Sequence, residues 1–391
     1  MKILSVNAGS SSLKFQMYEM PEEKVLINGY VQKIGAHDSF YYVKINGEKI
    51  EKEAPIKNHE DAVNILIKEL LENKIIDSLD EIEGVGHRMV HGGDKYPNSC
   101  IIDEDVIKEC EALKDLAPLH VPANILCVRA FQKLTPNALQ VAVFDTAFHQ
   151  TLKEEEFRYA VPNEWYEKYG VRKYGFHGTS HKYVSEKVAK LLNNESCKVI
   201  ICHIGSGASI SAVNAGKCID TTMGFTPNSG VVMGTRSGDI DYGIIPYMMK
   251  KANMSFDEVD SALNKQSGLL GLSEVSNDWR DVYAALTSGN EKAKLASEIM
   301  FNSIAKYIAQ YYMELEGIDA LVFTAGLGEN ASYVREKVCD RLKCFNIKLN
   351  KEANDSLIGK EGLISTEDST KVFVIPTDEE VVIARDTYNL K

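Results

Sequence analysis

The sequence predicts an α/β protein built by duplicating one unit, and two observations carry that prediction. The chain opens on Ile3-Leu4-Ser5-Val6-Asn7-Ala8-Gly9-Ser10-Ser11-Ser12-Leu13-Lys14-Phe15, and Val199-Ile200-Ile201-Cys202-His203-Ile204-Gly205-Ser206-Gly207-Ala208-Ser209-Ile210 repeats the plan near the middle. Each is an apolar strand, a tight turn of Gly, Ser and Ala, and an alternating run that reads as a returning strand. The second observation is that short apolar runs and helical spacings share the rest of the chain, as in α/β folds. A turn of this composition leaves backbone N–H groups uncovered and adds hydroxyl donors, which is what a bound phosphate needs. Two such turns, one per half, suggest a duplicated fold that clamps a polyphosphate.

The elements follow in order. Residues 1–20 read as two strands around the Ser-rich turn, and residues 24–50 alternate as strands with Asn46-Gly47 as a hairpin signal. Ala62, Ile65, Leu66 and Leu70 give residues 59–73 helical spacing. A buried strand at 85–91 ends in Gly92-Gly93, helices are predicted over 104–116 and 122–134, and Val141-Ala142-Val143-Phe144 is a short buried strand with Asp145 at its carboxyl end. A second pattern then starts. Helices are expected at 164–169 and 181–193, and the strand–turn–strand around 203–209 runs into a tight turn at Asn214-Ala215-Gly216-Lys217. Ser255-Phe256-Asp257-Glu258 is a capping box for a helix to about Asn264. A long helix over 291–316, a strand at 320–324, a Gly-rich turn at 326–330 with another helix, a last strand at 371–375 and a closing helix from Asp378 complete the chain. The best boundary lies near residue 150, giving an N-terminal lobe of 1–149 and a C-terminal lobe of 150–377, with 378–391 packing back on the first.

At 391 residues, with 44% apolar and 26% charged residues, the chain is long enough for two or three well-buried domains. A net charge of −12 argues against a nucleic-acid or anionic-membrane surface as the main partner. The N-terminus is too short in apolar residues for a signal-peptide core, and no apolar run approaches a membrane span, so a cytoplasmic location is expected. The eight cysteines form no Cys-x-x-Cys and read as reduced thiols. His177 and His181 stand four apart, but Gly178 and Thr179 precede the expected helix and no Glu completes a His-Glu-x-x-His, which argues against zinc.

Several residues carry chemistry. The middle turn does not open a helix, so it is not a dinucleotide fingerprint, and there is no Gly-x-x-x-x-Gly-Lys-[Ser/Thr]. Arg88, inside an apolar strand, and Arg236, in Met233-Gly234-Thr235-Arg236-Ser237-Gly238-Asp239, can each form a fork on a carboxylate or phosphoryl group, or a salt bridge to a neighbour such as Asp145 or Asp239. His120 and His177 lie in loops hemmed by Pro, Gly and apolar residues, which suits a pocket lining. Asp145 sits where an open sheet presents its ligands and could hold Mg²⁺ through water or orient an acceptor. Asn7, Asp145 and one of Glu379 and Glu380 would make a sparse hard-oxygen site of the kind Mg²⁺ prefers, although two acids opening a helix also complement its dipole. These parts fit phosphoryl transfer best.

Asn7 to Phe15, Gly86-His87-Arg88-Met89-Val90-His91-Gly92-Gly93, Val143-Phe144-Asp145-Thr146-Ala147-Phe148-His149, Gly175-Phe176-His177-Gly178-Thr179-Ser180-His181, Met233 to Asp241 and Pro376-Thr377-Asp378-Glu379-Glu380 together resemble the acetate/propionate kinase family. The resemblance runs from residue 1 to the terminal helix. It implies the fold of the sugar kinase, actin and Hsp70 superfamily, two lobes each a duplicated ribonuclease-H-like unit, and a homodimer. It also implies reversible Mg²⁺-dependent transfer from ATP to acetate, giving acetyl phosphate and ADP, with Mn²⁺ as a substitute metal. By position, Arg88 would bind the acetate carboxylate and Asp145 would assist the acceptor. His177 and Arg236, with His120 nearby, would stabilise the phosphoryl group, and Asn7 and Glu379 would serve the metal. Lys14, the turn of His203, Ile204, Gly205, Ser206 and Gly207, the segment Asp278-Trp279-Arg280, and Gly326, Leu327, Gly328, Glu329 and Asn330 would hold the nucleotide. Val90, Leu119, Phe176 and Pro227 would form the pocket for the methyl group. The chain departs from the family at Ser206, where Asn is usual, at Val121, also usually Asn, and at Asn228-Ser229, usually Leu-Glu.

Overall fold

A computed structural model describes residues 1–118 and 120–391. The chain forms two compact units, Met1–Gln150 with Asp378–Lys391, and Thr151–Thr377. The first is built on β1 (Lys2–Ala8), β2 (Ser12–Glu19), β3 (Lys24–Gln32), β4 (Phe40–Ile45), β5 (Glu48–Glu53), β6 (Gly84–Met89), β7 (Cys100–Ile101) and β8 (Leu139–Phe144). Their order across the sheet is β5-β4-β3-β2-β1-β6-β8-β7. The second unit holds β9 (Lys198–Ile204), β10 (Ala208–Asn214), β11 (Lys217–Thr221), β12 (Ala320–Thr324), β13 (Gly362–Leu363) and β14 (Lys371–Val374), ordered β11-β10-β9-β12-β14-β13.

The same plan recurs in both sheets. In the first, β1, β2 and β3 form an antiparallel meander and β6 and β8 extend it in parallel from β1. In the second, β9, β10 and β11 form the meander and β12 and β14 extend it in parallel from β9. Antiparallel neighbours need only hairpins, and the two hairpins 8–12 and 204–208 are the matching turns of the sequence. Other hairpins follow their residue types: Asn46 and Gly47 take φ of 50° and 86°, Ala215 and Gly216 take 48° and 74°, as the right-handed twist of the flanking strands requires.

Central strands bury both faces, which is why β1 and β9 read as near-continuous apolar runs. In the first unit, Leu4, Val6, Phe15, Leu66 and Phe131 share one core. Its other face is covered by the terminal helix Glu379–Asn389, which packs on β1, β6 and β8. The approach is close: a Cβ built on Gly86 would lie 2.3 Å from Thr387 Oγ1 and 2.5 Å from Ile383 Cγ2, so only glycine fits on that strand. Asp378 starts this helix by accepting the N–H of Val381 at 3.1 Å. In the second unit the helix Gly178–Leu192 packs on β9 and β12. Each of these helices follows, in the chain, the last long parallel strand of the other unit's sheet.

Three expectations need correction. The 104–116 helix ends at Ala112 and continues as a 3₁₀ turn at Lys114–Leu116. The helix expected from 181 begins at Gly178, because His177 takes the left-handed conformation (φ 58°) that turns the chain into it. The segment expected as a Gly-rich turn at 326–330 is one short helix, Ala325–Asn330, in which the Glu329 carboxylate accepts the N–H of Ala325 at 2.8 Å. Helices Ile244–Lys251, Gly268–Ser273 and Trp279–Thr287 were not legible: one contains Pro246, one two glycines, and all are short.

Candidate active site

Strand register assembles the first unit's candidate residues. Val6 pairs with His87 and Met89 with Phe144, so Asn7, Arg88 and Asp145 come to neighbouring positions at the carboxyl ends of three parallel strands. Asp145, 1% exposed, takes the side-on fork of Arg88: Nε donates to Oδ1 at 2.7 Å and Nη2 to Oδ2 at 2.6 Å. Nη1 donates to Asn7 Oδ1 at 3.2 Å, and Glu379 Oε2 stands 3.8 Å from Nε. Burial works against the guanidinium's charge, but Asp145 and then Glu379 more than offset it and raise its pKa. A guanidinium has five N–H groups. Among the described residues these bonds use three of them, leaving one N–H on Nη1 and one on Nη2.

The terminal helix adds more acids. Glu380 pairs with Lys14 Nζ at 2.7 Å, and Asp378 accepts the Tyr18 hydroxyl at 3.3 Å. Burial would lower the Lys14 pKa, but Glu380 reverses this and raises it. Among the described residues no group of three or more His, Cys, Asp and Glu could hold a metal alone. Asn7, Asp145 and Glu379 nonetheless bring hard oxygens to the Arg88 guanidinium, at 3.2, 2.7 and 3.8 Å. That donor set fits a divalent ion that takes most of its ligands from water and phosphate.

Asn124, which sequence reasoning missed, ties two of these strand ends together. Its Oδ1 accepts the Val90 N–H at 3.1 Å and its Nδ2 donates to the Ala8 carbonyl at 2.9 Å. An Asn one turn into a helix gives no local signal of that role. His120 is the N-cap residue of the same helix, Val121–Leu134. Leu119 lies outside the described residues.

The second unit gathers a different set. The turn of Gly205, Ser206 and Gly207 closes with Gly205 N–H on the Gly207 carbonyl at 3.1 Å, and Gly234 N–H donates to the Ser206 carbonyl at 3.0 Å. Arg236 lies against this turn: a Cβ on Gly207 would be 3.1 Å from its Nη2, so the glycine makes room for the guanidinium. Arg236 Nη1 donates to the Pro227 carbonyl at 2.6 Å. Asp239, its expected neighbour, instead accepts the Gly230 N–H at 2.8 Å and the Tyr307 hydroxyl. With no carboxylate paired to it among the described residues, burial lowers the Arg236 pKa.

Three imidazoles lie beside this turn. The His177 and His203 rings stack at 4.1 Å between centroids, and His203 Nδ1 meets Ser180 Oγ at 2.7 Å. His177 Nδ1 and His181 Nε2 both reach Ser209 Oγ, at 2.9 and 2.8 Å. Phe176, immediately before His177, is 2% exposed. Of the other nucleotide candidates, Arg280 is exposed and paired with Asp278 at 2.5 Å, and Trp279 is buried beside Tyr283, Phe301 and Tyr333. Glu329 Oε1 also accepts the Thr377 N–H at 3.1 Å, and Asn330 Nδ2 donates to the Gly326 carbonyl at 2.9 Å. Arg335, wholly buried and unsuspected from sequence, clamps this segment by donating to the Gly328 and Glu329 carbonyls, both at 2.9 Å.

Two copies of one strand order, each an antiparallel meander extended by two parallel strands, define a protein of the duplicated ribonuclease-H-like class. The family follows from comparison with known proteins. A model of the acetokinase family matches residues 2–385, and the chain belongs to that family. The chain is 52% identical over 392 residues to the acetate kinase of Bacillus mycoides, covering 100% of this chain and 98% of that one. Among solved structures it is similar to Porphyromonas gingivalis acetate kinase (TM-score 0.93, 44% identity, 100% and 99% coverage) and to a propionate kinase from Francisella tularensis (TM-score 0.95, 42% identity, 100% of both chains). ATP as co-substrate and a divalent metal go with the family. No helix among the described residues is long and apolar enough to cross a membrane.

Proposed function

We propose that this chain is an acetate kinase that moves the terminal phosphoryl group of ATP directly and reversibly to acetate. A carboxylate oxygen of acetate forms the new P–O bond as the bond from that phosphorus to the bridging oxygen of ADP breaks, in line and without a phosphoenzyme. The observation that carries this reading is the state of Arg88: held side-on by Asp145 and bonded to Asn7 through Nη1, it keeps one N–H on each of Nη1 and Nη2 for a small carboxylate. Asp145 then orients the acceptor through Arg88. Val90, Leu119, Phe176 and Pro227 meet the methyl group. Arg236, His177 and His120 stabilise charge on the phosphoryl group as it moves. The nucleotide is held by Lys14, the turn 203–207, residues 278–280 and residues 326–330. Mg²⁺, or Mn²⁺ in its place, held by Asn7 and Glu379, would neutralise charge on the phosphates.

A homodimer belongs to the same proposal. The second unit exposes Ile240, Tyr242, Ile244, Tyr247 and Phe256 close together in sequence, and the helix Ile244–Lys251 buries none of its residues in the single chain. Sedimentation at micromolar concentration should give twice the 43.5 kDa chain mass; a monomer would refute it. A cytoplasmic site suits eight cysteines that are all free thiols.

The test is a trapping assay with hydroxylamine, run with acetate and propionate as acids and ATP, GTP and pyrophosphate as donors. Acetyl hydroxamate formed with ATP and a divalent metal is the expected product. Faster reaction with propionate would move the chain to the sibling specificity, and no acyl phosphate from either acid would sink the proposal.

A further inference from the structure

His177 and His181, set aside above as a metal pair, share one partner. His177 is the N-cap residue of the helix Gly178–Leu192, and His181 lies in the first turn of that helix. Ser209, on β10 and 0% exposed, receives both rings on its hydroxyl oxygen, with His177 Nδ1 at 2.9 Å and His181 Nε2 at 2.8 Å. His181 is itself 0% exposed. A serine hydroxyl has one proton to give. Between two neutral imidazoles the arrangement that uses this proton donates it to one ring and accepts from the other, and that chain can run in either of two directions. If His181 Nε2–H donates to Ser209 and Ser209 donates to His177 Nδ1, neutral His177 carries its proton on Nε2. If the chain runs the other way, Nε2 of neutral His177 is a bare lone pair, which repels a phosphoryl oxygen. The stack on His203, whose own Nδ1 is bonded to Ser180 Oγ, restricts tilting of the His177 ring.

We propose that Ser209 and His181 are positioning residues, which fix the His177 ring and hold its proton on Nε2 as a donor to the transferring phosphoryl group. The proposal rests on the role given to His177 above. Neither residue touches substrate; both act through His177, in the way orienting partners set the tautomer of an imidazole.

The experiment uses the full-length enzyme labelled with ¹⁵N-histidine, together with steady-state kinetics. In the wild type, the His177 ring, assigned by its loss in His177→Asn, should show a protonated Nε2 and an unprotonated Nδ1. Ser209→Ala should lower kcat about tenfold or more while KM for ATP and acetate stays within about twofold, and should give a mixed His177 tautomer. Ser209→Thr, which keeps the hydroxyl, should recover most of kcat. A wild-type His177 protonated on Nδ1, alone or on both nitrogens, overturns the proposal without any variant having to fold. Unchanged kcat in Ser209→Ala, with kcat lowered in His177→Asn, overturns the relay and leaves the role of His177 standing. Unchanged kcat in His177→Asn overturns that role and the relay with it.

Discussion

The two units share a strand order and differ in how they treat charge. In the first, Arg88 and Lys14 are each matched by a carboxylate, and Asn7, Asp145, Glu379 and Glu380 crowd the same strand ends. In the second, among the described residues, Arg236 meets only a carbonyl, and the imidazoles beside the 205–207 turn reach the hydroxyls of Ser180 and Ser209. A matched arginine is held rigidly and gives little net field. An unmatched, half-buried one remains a positive charge for an incoming anion. Duplication supplied one scaffold, and the two copies now differ in whether the arginine at the strand ends is matched by a carboxylate.

The sharpest way to break this comparison is to remove the unmatched charge. Arg236→Ala should reduce kcat by about 10³-fold with little change in KM for acetate, because its charge acts on the transition state. A raised KM with unchanged kcat would make Arg236 a binding group like Arg88. Next in size, Asp145→Asn takes away the carboxylate that holds Arg88 side-on. We expect kcat/KM for acetate to fall by about 100-fold and urea unfolding to show a loss of about 2 kcal/mol, less than for a fully buried pair because Arg88 is partly exposed. If both quantities stay at wild-type values, Asp145 does not organise the first unit's site.

The histidines extend the contrast to pH. His87 is bonded to Gln140 Oε1 at 2.8 Å in the first unit's core, and burial lowers its pKa from 6.5 to about 4. The folded state thus binds fewer protons than the unfolded chain between those values. The stability is complete above about pH 6.5 and is lost as pH falls toward 4, at about 1.4 kcal/mol per pH unit. His87→Gln should flatten urea midpoints measured between pH 7 and pH 5; an unchanged slope would show that His87 is not the group responsible. The smallest effect is expected at the acid pocket. Val90→Ala should shift the propionate-to-acetate ratio of kcat/KM about tenfold toward propionate, since one methylene is worth about 1–3 kcal/mol. A fixed ratio would remove Val90 from that pocket.

Much of this molecule was legible because local rules and tertiary demands agree. The two hairpins, Asn46-Gly47, the capping box at Ser255 and the strand bearing Arg88 announce themselves through turn chemistry and period. Legibility failed where a side chain or a backbone angle answers to something distant. Asn124 joins two strand ends, Arg335 holds carbonyls seven and six residues upstream, and Ser209 joins two histidines about thirty residues away. The helix start at Gly178 was hidden because it depends on a non-glycine residue entering the left-handed region.

By itself, the sequence determined the α/β class, the duplication, the types of residue at the candidate site and, through its long motifs, the family. Those properties are written in periodicity, turn residues and side-chain chemistry, all of which act over a few positions. The tertiary structure alone decided which partner each site residue has: that Arg88 is spent side-on on Asp145, that Arg236 meets a carbonyl and no carboxylate among the described residues, and that one buried hydroxyl serves two imidazoles. Strand register and close packing set those pairings, and they act between residues that the chain keeps far apart.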